Sequence, residues 1–152
     1  MANKDNIKLQ RLNYGEEGLV LKLIHKDEIL RETFAGSRNT VTRIANSAYT
    51  ALIKKDKTTI GFIMLVENGR TQKFEIDMGI LSQYRGKGYG SQALSQLKRI
   101  ILNSPDKLDV EIQTRIVNEP AIRSILKNGF VLSRQDGECV YFKLSEESKK
   151  HK

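Results

Sequence analysis

Hydrophobic residues recur along this chain with two different spacings, which together predict a mixture of strands and helices. Residues 7–12 alternate and predict a first strand. From about residue 16 to 34 the apolar positions predict amphipathic helical segments, through Leu19, Leu21, Leu23, Ile24, Ile29 and Leu30. The stretch that follows, residues 35–47, is rich in Ser, Thr and Asn and is predicted to be a loop.

The middle of the chain predicts three consecutive antiparallel strands. Residues 49–55 and 58–67 are strand-like and are separated by a short polar turn, so they predict a hairpin. An Asn-Gly turn then leads into a long predicted strand over residues 72–81.

The second half predicts one long helix, one short helix and three more strands. Residues 91–103 predict a helix whose core face is made of Ala93, Leu94, Leu97, Ile100 and Ile101. Residues 108–113 alternate and predict a strand, and Asn118 is a good cap for a short helix. Residues 130–133 and 140–144 predict a final pair of strands. The elements together predict a mixed α/β domain with about seven strands.

The segment between the strand at 72–81 and the helix at 91–103 carries the most specific chemistry. It reads QYRGKGYGSQAL, and glycines without a Cβ allow successive N–H groups to face an anion while the helix adds its positive end. Arg85 and Lys87 add full charges. Neither a Walker loop nor a dinucleotide fingerprint fits the glycine spacing. The segment predicts a phosphate-binding loop, with a flexible basic turn as the alternative.

Two motifs resemble those of the GNAT superfamily of N-acetyltransferases. The loop matches the pattern Arg/Gln-x-x-Gly-x-Gly/Ala at Arg85, Gly88 and Gly90. The stretch NEPAIRSILKNGF, which begins at Asn118, is similar to the superfamily's Asn-x-x-Ala helix followed by Gly-Phe. The resemblance is strong over residues 58–144 and weaker before them. It implies a three-layer GNAT-like α/β fold, with a central mixed, mostly antiparallel sheet of about seven strands flanked by helices.

The resemblance also implies acetyl-coenzyme A as the co-substrate and assigns residues to it. In the superfamily a bulge parts two strands and exposes backbone groups to the pantetheine arm. The matching positions here are the backbones of Gly79, Ile80 and Leu81. The remaining implied contacts lie in the loop and at the short helix: Arg85, Gly86, Lys87, Gly88, Tyr89, Gly90, Ser91 and Asn118.

Direct acetyl transfer to an amine requires a base, because an alkylamine with a pKa near ~10 is protonated at neutral pH. Strand alternation puts Glu75 and Asp77 on the same face of their strand. The resemblance favours Glu75 as the catalytic base, since many members carry a glutamate there, and Asp77 is the reserve. The alternative is that both carboxylates only solvate the outer face of the strand.

The chain departs from the superfamily at the expected general acid. Many members place a tyrosine one turn after the helix alanine, and this chain has Ile125 there. Tyr141 and Tyr89 are the nearest substitutes, but Tyr141 alternates with packing residues, and neither is assigned a catalytic role. Cys139 is interpreted as a small packing residue, because no histidine lies near it in the sequence.

Composition favours a single domain. The chain has 152 residues of which 39% are hydrophobic, enough for one sizeable core, so one N-acetyltransferase domain is predicted over residues 1–145, with a disordered basic tail over 146–152. With a single cysteine and two histidines, no disulfide and no metal site are predicted. The N-terminal stretch has no apolar run of signal-peptide length, which predicts a cytoplasmic protein without membrane association.

The formal net charge of +8 is compatible with a nucleic-acid surface or with a pocket for a polyanionic ligand plus an ordinary excess of lysine. The second is favoured, because the chain shows no RNA-binding signature. The predicted function is acetyl-coenzyme A-dependent N-acetylation of a primary amine, on a small molecule or a protein, by direct attack. The alternative is a catalytically weak acyl-coenzyme A-binding sensor or regulator, and a homodimer stays open.

Overall fold

The computed structural model describes residues 7–35 and 40–144. Seven strands form one sheet: β1 (Ile7–Arg11), β2 (Ser47–Lys55), β3 (Thr58–Glu67), β4 (Phe74–Ile80), β5 (Val110–Arg115), β6 (Phe130–Asp136) and β7 (Cys139–Leu144). The helices are α1 (Gly18–Lys26), α2 (Glu28–Leu30), α3 (Thr40–Ala45), α4 (Tyr89–Leu102) and α5 (Glu119–Lys127), with a π-helical turn at Arg31–Ala35 and a 3-10 turn at Ser82–Tyr84.

The sheet is open and runs in the order β1-β2-β3-β4-β5-β7-β6. Its neighbouring strands are antiparallel except for β4 and β5, which are parallel. The predicted mixed, mostly antiparallel sheet of about seven strands is therefore confirmed. The single parallel pair lies at the middle of the sheet, where the chain crosses over through α4.

Helices cover both faces of the sheet, and β3 is buried between them. Alternate side chains of β3 enter two separate clusters, because neighbouring residues of a strand point to opposite faces. Ile63 packs in the cluster that contains the apolar face of α4, whereas Phe62 packs in the cluster that contains α1 and α3. This is the predicted three-layer arrangement. Among the described residues, none of the helices is long and apolar enough to cross a bilayer.

Two predicted elements differ from the structure. Residues 40–45 form α3 and not a loop, because Thr40 and Ile44, one helical turn apart, are both buried against the sheet. The predicted strand at 72–81 begins only at Phe74, since Gln72 has a φ of 63°, which is incompatible with an extended strand. The other part of the predicted loop, residues 36–39, and the predicted tail lie outside the described residues.

The core of α4 also differs in one position from the prediction. Ala93, Leu94, Leu97 and Ile101 are buried as expected, but Ile100 is exposed. The buried positions follow the i, i+1, i+4, i+8 spacing of one helix face, and Ile100 lies beside that face.

Asp27 joins the α1–α3 layer to the end of β4. Its carboxylate caps α2 by accepting hydrogen bonds from the N–H groups of Ile29 and Leu30, both at 3.1 Å. It also accepts from the N–H of Ser82 at 2.7 Å and from the Ser82 hydroxyl at 2.9 Å. Burial raises the pKa of Asp27, but these hydrogen bonds outweigh it and leave the pKa below its ordinary value of 3.8.

We expect Asp27→Ala to destabilise the protein by about 1 kcal/mol at pH 7 through loss of the cap. Because the folded-state pKa of Asp27 is lowered, its contribution is present at neutral pH and is lost as the pH falls through that lowered value, below 3.8. Urea unfolding of both proteins at several pH values measures the difference, which should shrink in acid. Asp106→Ala, at an exposed loop residue, is the control. An equal loss in the two variants would contradict the cap.

Candidate active site

The parallel strands β4 and β5 separate soon after they begin. They pair only from Phe74 to Ile76 on β4, opposite Val110 to Ile112 on β5. Beyond that point β4 continues beside β3, and β5 continues beside β7. The strands therefore open into a wedge, which is part of a cleft of about 810 Å³. The register of β4 against β3 is unbroken from Phe74 to Ile80, so the strands part without a bulge on that side.

The backbone of β4 directs hydrogen-bonding groups into this wedge. The N–H of Leu81 donates to the carbonyl of Ile60 on β3 at 2.8 Å. Because hydrogen-bonded pairs alternate along an antiparallel ladder, the N–H of Gly79 also faces β3, and those of Met78 and Ile80 face the opposite side, toward the wedge. Three backbone positions were named from the sequence, Gly79, Ile80 and Leu81, and of their N–H groups that of Ile80 faces the wedge. The N–H of Met78 also faces the wedge and was not predicted.

Close packing around Gly79 leaves no room for a side chain at this position. A Cβ at this position would lie 2.7 Å from Cε1 of Phe62 and 2.8 Å from Cδ2 of Leu30. Both of those side chains are fully buried. A glycine here therefore lets α2 approach the middle of the sheet closely.

The glycine loop lies at the mouth of the wedge, and two of its glycines have left-handed backbone conformations. Gly86 and Gly88 have φ values of 77° and 84°, and a Cβ on either would meet no other atom within 4 Å. Gly88 caps α4, so no capping side chain competes for the N–H groups of the first helical turn. Arg85 Nε donates to the Ile80 carbonyl at 3.0 Å and ties the loop to β4, whereas the Lys87 side chain is exposed.

The remaining residues predicted around the loop have mixed roles. The Tyr89 side chain is buried in the core, and Gly90 seats α4 on β4, since a Cβ there would lie 3.4 Å from Cε of Met78. The Ser91 hydroxyl accepts a hydrogen bond from Asn128 Nδ2 at 3.1 Å. Asn118 caps α5, as predicted, by accepting from the Ala121 N–H at 3.3 Å, and it lines the cleft.

Helix α5 presents an unexpected polar group to the cleft. Ser124 lines the cleft, and its hydroxyl oxygen is buried yet finds no hydrogen-bond partner within the described part of the chain. The next residue, Ile125, is buried in the core at the position where the resemblance expects a tyrosine. The sequence offered no signal for Ser124, because its position beside the cleft depends on how α5 packs.

Two carboxylates of β4 share one guanidinium on the face of the strand opposite to α4. Arg43 of α3 binds Asp77 through Nε at 2.7 Å and through a second nitrogen at 3.2 Å, and it binds Glu75 at 3.1 Å. Glu75 also accepts from Asn68 Nδ2 at 3.1 Å. Burial lowers the pKa of Arg43, but Asp77 and Glu75 more than offset this and leave its pKa raised. Arg43 was missed because α3 was predicted to be a loop.

A third carboxylate lies beside these two on β5. Glu111 is opposite Glu75 in the register, is buried, and pairs with Lys73 at 3.3 Å and with Arg134 at 3.8 Å. Arg134 also stacks over the ring of Tyr141 at 3.7 Å. The alternation of Glu111 with Val110 and Ile112 was the signal that could have placed it on this face.

The family model described as an acetyltransferase (GNAT) domain matches residues 20–131. The chain belongs to the GNAT family of acetyltransferases. The resemblance stated from the two motifs is thus confirmed, and the protein is an N-acetyltransferase by family. No curated protein matches the sequence.

Solved GNAT structures share the fold at low sequence identity. An acetyltransferase from Agrobacterium tumefaciens is 14% identical with a TM-score of 0.71, over 95% of this chain and 94% of that one. A spermidine N-acetyltransferase from Vibrio cholerae, in complex with coenzyme A and spermine, is 14% identical with a TM-score of 0.69, over 95% and 98%. A ribosomal alpha-N-protein acetyltransferase in complex with coenzyme A is 15% identical with a TM-score of 0.65, over 92% and 94%.

We expect Gly79→Ala to destabilise the protein by about 1–3 kcal/mol, because the added methyl overpacks two fully buried side chains. The free energy of unfolding in urea measures the effect. Gly69→Ala is the matched control, since a Cβ there would meet nothing within 4 Å. Equal stability of Gly79→Ala and Gly69→Ala would contradict the close packing of α2 on β4.

Proposed function

We propose that this protein transfers an acetyl group from acetyl-coenzyme A to a primary amine, on a small molecule or a protein, by direct attack. The observation that carries the proposal is the wedge between β4 and β5, which has an anion-binding loop at its mouth and paired carboxylates on the adjoining face. We further propose that one domain spans residues 1–145 and that the enzyme acts in the cytoplasm.

The cleft has groups that fit coenzyme A. The open cradle at Gly86 and Gly88, the first turn of α4 and the remaining guanidinium donors of Arg85 suit a pyrophosphate. Of the N–H groups of Met78 and Ile80, one suits an amide carbonyl of the pantetheine arm and leaves the other for the thioester. The buried hydroxyl of Ser124, which is without a partner in the described chain, is a further polar group in the same cleft. Acetyl-coenzyme A would supply an acetyl group activated as a thioester.

Residues of β4 provide the electrostatic part of catalysis. One of the wedge-facing N–H groups, at Met78 or Ile80, donates a hydrogen bond to the thioester carbonyl oxygen. A fixed donor of this kind is worth ~3 kcal/mol in other acyl transfers. The backbone is already held by β3 on its other side, so little reorganisation is needed.

Glu75 accepts the proton of the attacking amine, directly or through a water molecule. Both oxygens of Asp77 bind Arg43, whereas Glu75 binds Arg43 through one oxygen and the neutral amide of Asn68 through the other. A carboxylate has about four acceptor positions, so Glu75 keeps capacity for a proton. Only one oxygen of Glu75 contacts the Arg43 cation, whereas both oxygens of Asp77 do, and this favours Glu75 over Asp77 as the base.

The buried side chain of Ile125 provides no acid for the departing thiolate. A thiol with a pKa near ~8.5 is a tolerable leaving group without one, so transfer does not require the missing tyrosine. The presence of isoleucine in place of this tyrosine favours the second candidate function, a sensor that binds acyl-coenzyme A without turnover. Release of free thiol with an amine acceptor separates the two, because only the transferase produces it.

We expect Gly88→Ala to weaken acetyl-coenzyme A binding about tenfold. A side chain at a φ of 84° costs ~1–2 kcal/mol, so the free loop should leave this conformation, and binding would have to restore it. Titration calorimetry measures the dissociation constant, with Gly69→Ala as the control. Unchanged affinity in a folded Gly88→Ala protein would contradict the role of the loop, and the absence of binding to the wild type would contradict both coenzyme A functions.

We expect Glu75→Gln to lower kcat about 100-fold or more near neutral pH, because the amine then loses its base. The deficit should shrink as the pH rises toward ~10, where the free amine is deprotonated in solution. The assay follows thiol release with the amine that the wild type acetylates fastest from a mixed panel of amines and peptides.

Glu67→Gln, at an exposed glutamate that ends β3, is the matched control and should behave as the wild type. A pH-independent loss in Glu75→Gln would indicate a structural role. A larger loss in Asp77→Asn would assign the base to Asp77.

A further inference from the structure

We propose that Arg43 is a specificity-determining residue that excludes polycationic amines from the acceptor side of the cleft. Its guanidinium binds Glu75 and Asp77, the two carboxylates that a polyamine would otherwise bind. This inference rests on the proposed function, and it narrows the acceptor to an amine with no second cationic centre near the reacting nitrogen.

The carboxylates of the cleft already have cationic partners from the chain. Arg43 binds Glu75 and Asp77 through three contacts of 2.7 to 3.2 Å. Lys73 and Arg134 bind Glu111 at 3.3 and 3.8 Å. These three are the carboxylates that line the cleft in the described part of the chain, and three cations oppose them.

A polyamine would have to displace the guanidinium in order to bind there. The contact to Asp77 is bidentate, and paired N–H donors of this kind are stronger and more specific than a single ammonium contact. Arg43 is also held in place by α3, whose Thr40 and Ile44 are buried, so it loses less freedom on binding than a flexible ligand does. Competition between the two cations therefore favours Arg43.

The acid pair is accessible once the arginine is removed. The side chains of Arg43, Glu75 and Asp77 retain 28%, 27% and 21% exposure and line the same cleft. Removing the guanidinium changes the charge of this trio from −1 to −2. The space that the Arg43 guanidinium leaves lies between the carboxylates of Glu75 and Asp77. Two carboxylates beside one space suit the binding of a cation.

The test measures spermidine binding by calorimetry in the presence of coenzyme A, which requires no turnover. We expect weak binding to the wild type and a dissociation constant at least about tenfold lower for Arg43→Met. Arg43→Lys keeps the charge but loses the bidentate contact to Asp77, so its dissociation constant for spermidine should lie between those of the wild type and Arg43→Met. Arg123→Met is the matched control, because it removes the same charge from an exposed pair with Glu119 on α5.

Adding Glu75→Gln and Asp77→Asn to Arg43→Met should abolish the gain. Tight spermidine binding by the wild type would overturn the inference, and so would equal affinities of folded Arg43→Met and Arg123→Met. If Arg43→Met does not fold, Arg43→Gln provides the same comparison with a neutral polar side chain. Binding of acetyl-coenzyme A to the wild type, measured separately, distinguishes a failure of this inference from a failure of the proposed function.

Discussion

The early end of pairing between β4 and β5 is the constraint on which the rest of the site depends. Backbone N–H and C=O groups inside a sheet are normally paired, and strands that part must satisfy them in another way. Here β4 is held on one side by β3, so the groups that face the wedge keep a fixed direction. The glycine loop follows directly from the same strand, and Arg85 anchors it to the carbonyl of Ile80. Strand and loop thus form one preorganised surface.

The two faces of β4 carry different chemistry. The side chains of Ile76 and Ile80 enter the core beneath α4, and those of Glu75 and Asp77 face Arg43 of α3. Because side chains alternate along a strand, the carboxylates lie beside the wedge without entering it. Each carboxylate of this partly exposed acid pair contacts the Arg43 guanidinium, so neither lacks a cationic partner.

The sequence predicted the sheet, the glycine loop and the cap at Asn118, since each depends on local periodicity or on a backbone requirement within a few residues. It did not predict Arg43, because a six-residue helix in a Ser- and Thr-rich stretch has little local signal and is stabilised by tertiary burial. Met78 was missed for another reason: the direction of its N–H depends on the register with β3, which no local pattern specifies.

Helix α2 and its N-cap contact the end of β4 and the turn that follows it, at two places that bracket the wedge-facing Ile80. Leu30 packs on Gly79, and Asp27 binds Ser82. The α1–α3 layer and the glycine loop consequently share one strand end of very few residues. If one ligand orders this strand end and thereby raises the affinity for a second ligand, thermodynamic linkage requires the second ligand to raise the affinity for the first by the same factor. If coenzyme A binds the loop and the acceptor binds beside the α1–α3 layer, as proposed, this strand end is a short physical connection through which the binding of one can favour the binding of the other.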